Sequence, residues 1–182
     1  MYKRILTVVM ALAFVVGLSG MALAWDTSTA NLTQSGAGNV ANITQDSQWN
    51  VLNATQFGVW NELYASQYGA YNDSYLYQSG NYNNAEIRQT GGDNDSWAYQ
   101  SGYDNYALIA QAGGTNYAYS VQSGNDNEMD LYQTASIGNT SYLYQEGNRN
   151  DADIWQISGN NFAESGQSGN DNDLMLYQNE SW

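Results

Sequence analysis

Between residues 39 and 45 apolar and polar side chains alternate with a period of two, in Asn39-Val-Ala41-Asn-Ile43-Thr-Gln45, and the pattern returns about every eleven residues along the chain. A period of two is that of an extended strand, whose successive side chains point to opposite faces. One face is small or aliphatic: it takes Ala41, Leu52, Leu63, Ala85, Ala107, Ala118, Met129, Ala152 and Leu174, then two places on Ile43, Ala54, Leu76, Ile87, Ile109, Leu131, Leu143, Ile154 and Leu176. The other face is polar or aromatic, with Thr33, Thr44, Thr55, Tyr75, Tyr77, Trp97, Tyr99, Tyr142, Tyr144 and Tyr177 among its members, and is expected to meet water or a neighbour.

Amides bound the apolar positions in strict phase. Glutamine stands at Gln34, Gln45, Gln56, Gln67, Gln78, Gln89, Gln100, Gln111, Gln122 and Gln133, and resumes at Gln145, Gln156, Gln167 and Gln178. Asparagine follows at Asn39, Asn50, Asn61, Asn72, Asn83, Asn94, Asn105, Asn116 and Asn127, then at Asn139, Asn150, Asn161 and Asn172. One residue is inserted between Gln133 and Asn139, as a bulge or a longer turn. Glycine comes two places after most glutamines, with Ser47, Ala135 and Ser158 as exceptions. Runs such as Ser79-Gly80-Asn81-Tyr82 and Ser123-Gly124-Asn125-Asp126 predict turns, since Gly and Asn accept positive φ at small cost.

A strand of about six residues cannot bury its apolar face alone, but two units can fold over as an arch and stack on the next pair. The expected fold is all-β, a β-solenoid of stacked β-arches in cross-β arrangement, with about 22 residues and two strands per coil. Burying an amide without partners costs on the order of 1 to 3 kcal/mol. In-register stacking removes that cost, because each amide then donates to one neighbour and accepts from the other. The phased Gln and Asn columns are therefore predicted to be structural amide ladders.

Composition alone would suggest disorder, with Asn, Gln, Ser, Gly and Tyr in excess over large aliphatics, yet the phasing argues for order. Lys3 and Arg4 lead an apolar run and then Ala22-Leu23-Ala24, the pattern of a secretory signal peptide cut before Trp25. Residues 1–24 are read as that signal peptide, 25–30 as a short N-terminal segment, 31–178 as a repeat domain of fourteen units, and 179–182 as a C-terminal tail. No second apolar run follows, so the processed chain is not expected to span a membrane. It sets two arginines against 18 carboxylates, a net charge of −16, which disfavours nucleic acid as a partner. The chain has no cysteine or proline, so no disulfide holds the fold and every backbone amide is free to join a ladder.

The acidic side chains Asp93, Asp95, Asp104, Asp126, Asp151, Asp153, Asp171 and Asp173 fall at turns and on the outer face. They are either a solvated rim or gatekeepers whose stacked like charges oppose assembly until pH falls or salt rises. Catalysis is disfavoured: the chain has no histidine, no cysteine and, after processing, no lysine, and its carboxylates recur with the repeat rather than in one constellation. No cofactor and no metal are expected. Calcium solenoids have a nine-residue repeat with a fixed Asp phase, whereas here the phase wanders. The Thr33, Thr44, Thr55 column of an ice-binding face breaks at Ser66 and Tyr77.

The unit Gln-x-Gly-x-x-Asn-x-Ala-x-x-x-Gln, seen from Gln34 to Gln45 and from Gln100 to Gln111, resembles the curlin repeat, and the likeness covers residues 31–178. The resemblance implies a curli-type functional amyloid of the bacterial cell surface, secreted unfolded and serving biofilm matrix and adhesion. Its implied partners are further copies of itself, a nucleating curlin subunit, a periplasmic chaperone and an outer-membrane export pore. Two features depart from the family pattern: the glycine-rich targeting segment is missing before the first repeat, and the final repeat is acidic where a nucleator's would be basic. The second favours a major, fibre-forming subunit. The alternatives are the minor nucleating subunit, or a soluble secreted β-solenoid that binds a surface, glycan, ice or calcium.

Overall fold

A computed structural model describes residues 21–23, 28–135 and 138–179. The expected leader lies outside the described residues except for Met21–Leu23, and so do residues 24–27, the pair Ser136 and Ile137, and the tail from Glu180. Every regular element among the described residues is a strand: β1 (Met21–Leu23), β2 (Thr29–Ala37), β3 (Val40–Asp46), β4 (Val51–Val59), β5 (Glu62–Tyr68), β6 (Asp73–Asn81), β7 (Asn84–Gly92), β8 (Asp95–Tyr103), β9 (Tyr106–Gly114), β10 (Tyr117–Asn125), β11 (Glu128–Ala135), β12 (Thr140–Asn148), β13 (Asp151–Ile157), β14 (Phe162–Asn170) and β15 (Asp173–Asn179).

The strands form two parallel sheets, an eight-stranded one of odd-numbered strands from β1 to β15 and a seven-stranded one of even-numbered strands from β2 to β14. Each coil therefore places one strand in each sheet, and β2/β3 to β14/β15 make seven coils. Partners lie 22 residues apart, as Gln56 on Gln78 and Gln67 on Gln89. The fold is the expected two-stranded β-solenoid. The core between the sheets contains Leu52, Leu63, Ile87, Ile109, Leu131, Leu143 and Ile154, all fully buried.

The corners differ from expectation. The Ser-Gly segments read as turns remain in register with the coils above and below, so that Ser79-Gly80-Asn81 belongs to β6 and pairs with Ser101-Gly102-Tyr103 of β8. The reason is that corner backbone also bonds along the stack, with Tyr82 N–H donating to Val59 O and Asp104 N–H to Asn81 O, both at 3.0 Å. Only two residues separate β6 from β7, and the first of them, Tyr82, has φ 59°.

Close backbone approach favours glycine at the bend. A Cβ on Gly102, whose φ is 116°, would lie 1.9 Å from Gly124 O, and the same holds down the column from Gly36 to Gly147. Ser47 occupies the equivalent left-handed position in the first coil with φ 104°. Ser47→Gly is expected to stabilise the fold by roughly 1 kcal/mol, read as a raised denaturation midpoint, because it relieves that strain.

The residue inserted after Gln133 leaves both strands around it in register. Gln122 pairs with Gln145 and Gln133 with Gln156, each 23 residues apart rather than 22. The extra residue thus falls between Ala135 and Thr140, outside the strands, and no strand inverts its faces.

Candidate assembly surfaces

The amide ladders are the most regular feature of the interior. Gln34, Gln56, Gln78, Gln100, Gln122, Gln145 and Gln167 form one column, and Gln45, Gln67, Gln89, Gln111, Gln133, Gln156 and Gln178 the other. In both, each Nε2–H donates to the Oε1 of the next coil, over 2.6–3.0 Å. The nitrogen also faces backbone carbonyls, as Gln78 Nε2 does to Glu62 O (2.8 Å) and Asn83 O (3.0 Å). Those carbonyls fix which end of each amide is the nitrogen, so both columns point their donors toward the C-terminal end.

Asparagine columns at the two corners run the other way. Asn61 Nδ2 donates back to Asn39 Oδ1 and Asn83 to Asn61, and the run Asn105, Asn127, Asn150 and Asn172 continues in the same sense. The second column comprises Asn50, Asn72, Asn94, Asn116, Asn139 and Asn161. It bends at the insertion: Asn139 keeps its backbone N–H on Asn116 Oδ1 but turns its Nδ2 to Gln156 O. A hydroxyl ladder that the sequence reading did not anticipate replaces carbon in the core where Ser74 meets Ser96 at 2.9 Å and donates to Gln89 Oε1 at 2.8 Å.

All ladder amides are buried except Gln178 and Asn172 in the last coil. There, among the described residues, Gln167 Nε2 and Gln178 Nε2 bond only the backbone carbonyls Asp151 O and Phe162 O, leaving a donor hydrogen directed along the axis. At the other end Gln34 and Gln45 donate to Gln56 and Gln67, and among the described residues their own Oε1 atoms accept from no preceding rung. The two ends are complementary: one presents amide donors where the other presents amide acceptors. β14 and β15 are also the last strands of their sheets among the described residues, so their backbone edges are open.

Each sheet presents its own outer face, a doubling that the single polar-aromatic face of the sequence pattern did not foresee, and both faces carry aromatic and acidic columns. The seven-stranded sheet carries Tyr75 stacked on Trp97 (4.3 Å between centroids), with Tyr77, Tyr99, Tyr119, Tyr142 and Tyr144 in contact around them. Tyr177 lies on β15, in the opposite sheet. That opposite sheet also stacks Tyr132 on Trp155, 4.2 Å between centroids, and beside them carboxylates line up: Glu128, Asp151 and Asp173 in one row, Asp130 and Asp153 in another.

The expected gatekeepers divide between two settings. Asp93, Asp104, Asp126 and Asp171 occupy corner positions with φ near 55°, where aspartate is better tolerated than most residues. Asp171 there pairs with Arg149 through two bonds of 2.6 and 2.8 Å. Asp95, Asp151, Asp153 and Asp173 lie on strands; burial raises the pKa of Asp95 and Asp151, reinforced by neighbouring carboxylates.

The strongest electrostatic strain is at Asp130, which the sequence reading passed over because its place in the repeat gives no sign of burial. Its Oδ1 is buried without a hydrogen-bond partner, and its pKa is pushed up to about 6 by burial and then by Asp153, Glu128, Asp151 and Glu86. The folded state thus binds this proton more tightly than an unfolded chain, where the ordinary value is 3.8. Stability from this site is full below the ordinary value, declines as pH rises through the window, and is lost above about 6. Lowering pH from 7 toward 5 is therefore expected to raise the denaturation midpoint, and Asp130→Asn to flatten that dependence; an unchanged slope in the variant would place the effect elsewhere.

Among the described residues no group of three or more His, Cys, Asp or Glu is arranged to hold a metal ion, and no helix is long and apolar enough to cross a membrane. No curated protein and no solved structure gives a significant match to the chain. A family comparison does match: residues 102–134 and 147–179 each fit the curlin-associated repeat. Those stretches run through β8–β11 and β12–β15, where the glutamine and asparagine columns are continuous. Both matches to that repeat fall on coils built by the phased amides, so these stretches are similar to the curlin-associated repeat.

Proposed function

We propose that this chain is a secreted structural subunit that polymerises into extracellular curli-like amyloid fibres, serving biofilm matrix and adhesion in the major, fibre-forming role. The observation that carries the proposal is the complementarity of the two solenoid ends. A newcomer added head to tail brings its Gln34 and Gln45 to Gln167 and Gln178 of the copy before it, so that each waiting Nε2–H meets an Oε1. Its Asn39 Nδ2 meets Asn172 Oδ1 by the same logic, in the opposite sense. Tail-to-tail contact sets donor against donor, so growth is polar and open, the geometry that yields filaments rather than closed oligomers.

The leader fits this scheme. In the unprocessed chain β1 lies along β3, pairing Met21 to Leu23 with Thr44 to Asp46. Cleavage before Trp25 removes it and gives that edge to β15 of another copy. The function is structural and calls for no catalytic residue, cofactor or metal. Its partners are other copies, a nucleating subunit, a periplasmic chaperone and an outer-membrane export pore. The strand carboxylates act as gatekeepers, opposing assembly until they are protonated or screened.

Seeded growth tests the end-to-end contact. Deleting residues 168–182 removes β15 and its donor, and is expected to cut elongation from preformed seeds strongly while the remaining coils still fold. Elongation at the full-length rate would refute the role of that end. Adding the chain in trace amount to a different fibre-forming curlin separates the roles: a major subunit leaves the lag intact, and a nucleator abolishes it.

A further inference from the structure

The solenoid brings exposed tyrosines of successive coils into repeated ring contact in a chain without cysteine. The clearest pair is Tyr82 and Tyr103, 21 residues apart in sequence, whose ring centroids are 5.3 Å apart with planes tilted by 59°. At that separation the ring edges touch. Both side chains are about half exposed, Tyr82 at 48% and Tyr103 at 47%, so an oxidant in solution reaches them. Both are held by corner backbone: Tyr82 N–H donates to Val59 O, and Tyr103 O accepts from Asp126 N–H. Other tyrosine pairs, Tyr117 with Tyr142 and Tyr77 with Tyr99, lie at 5.6 and 5.8 Å on the seven-stranded face, but Tyr82 and Tyr103 combine the closest approach with exposure of both partners.

We propose that Tyr82 and Tyr103 form an oxidative cross-linking site, at which a one-electron oxidant joins them into dityrosine and so staples the third coil to the fourth. Each phenol gives one electron to the oxidant and its phenolic proton to solvent. The two phenoxyl radicals combine by a bond between ring carbons ortho to oxygen, and the displaced ring hydrogens move to the oxygens as the rings re-aromatise. The product is two hydrogens lighter than the two tyrosines; with hydrogen peroxide as final acceptor, through a haem peroxidase, those hydrogens leave in two molecules of water. Holding the rings in contact makes coupling effectively unimolecular, the condition under which it outruns diffusion of either radical to another partner. The link closes a loop through the corner and one whole coil, which restricts the unfolded chain as a disulfide would. The inference rests on the solenoid fold and not on fibre formation.

The test oxidises the full chain with photo-excited tris-bipyridyl ruthenium and persulfate, folded and in guanidinium, and maps linked peptides by mass spectrometry. The folded chain is expected to give a dominant intramolecular product joining Tyr82 to Tyr103, with dityrosine fluorescence. In guanidinium the same product should fall to the level of other pairings among the 16 tyrosines. Tyr82→Phe and Tyr103→Phe keep the ring contact and the fold, checked by circular dichroism, and each should lose that product entirely while the Tyr77–Tyr99 product persists. A folded chain whose Tyr82–Tyr103 product is absent, or no more abundant than in guanidinium, overturns the proposal.

Discussion

Gly102→Ala is expected to disrupt the solenoid at its fourth coil, while Gly166→Ala leaves it intact. The added methyl at Gly102 would stand 1.9 Å from Gly124 O, a backbone atom that accepts from Asn105 Nδ2, and the residue's φ of 116° is one that L side chains rarely adopt. The strain of that backbone region costs of order 1–3 kcal/mol and forced overpacking a further 1–3 kcal/mol. The sum is a large share of the 5–15 kcal/mol that typically separates folded from unfolded chains. Nothing lies within 4 Å of the Cβ position at Gly166, whose φ is not positive, so the same substitution there is nearly neutral. Circular dichroism melts of both variants make the comparison; equal effects would mean that the corner columns are not packed as described.

Gln78→Leu carries the second large effect. The glutamine makes four bonds: its Nε2 donates to Gln100 Oε1, Glu62 O and Asn83 O, and its Oε1 accepts from Gln56 Nε2 at 2.8 Å. Leucine fills a similar volume but leaves Gln100 Oε1 without its ladder donor and Gln56 Nε2 without its ladder acceptor, while Asn83 O keeps Glu62 N–H and Gln56 Nε2 keeps Val40 O and Asn61 O. A loss of about 1–3 kcal/mol for the orphaned acceptor is expected, with unfolding at lower denaturant. Gln178→Leu is the informative contrast. Gln178 is half-buried in the last coil and its outward donor has no partner among the described residues, so the single molecule keeps most of its stability while seeded elongation slows. Equal destabilisation at the two sites would show that the ladder is not cooperative along the axis.

Much of this was legible in the sequence because the repeat acts on the same physics at every unit. Polar satisfaction of Gln56, Gln78 and Gln100 requires that each lie over the next, so the spacing of glutamines fixes coil length and register at once. The insertion near Ala135 was readable as a place and not as a conformation, since either a bulge or a longer corner accommodates one residue; the stack places it outside the strands because both glutamine columns stay in register. Three features were beyond a one-dimensional pattern. The polarity of the ladders depends on backbone carbonyls contributed by the facing strand, as Glu62 O is to Gln78. The sorting of aromatic and acidic columns onto two faces arises because alternate units enter opposite sheets, which makes neighbours of residues 22 apart and strangers of residues 11 apart. Asp130 is strained by Asp153 and Glu128 on its own sheet, and by partial burial that its polar phase in the repeat conceals.

The central claim is that the two ends of the solenoid bind each other and so build a cross-β fibre. The most direct measurement dilutes residues 25–182 from denaturant and follows thioflavin T fluorescence, then X-ray fibre diffraction of the product. The account predicts a lag, its abolition by preformed seeds, and reflections near ~4.7 Å along the fibre and ~10 Å across it. A soluble monomer that holds β-sheet circular dichroism at high concentration, with no seeded growth, would contradict it, for then the ends described as complementary do not join.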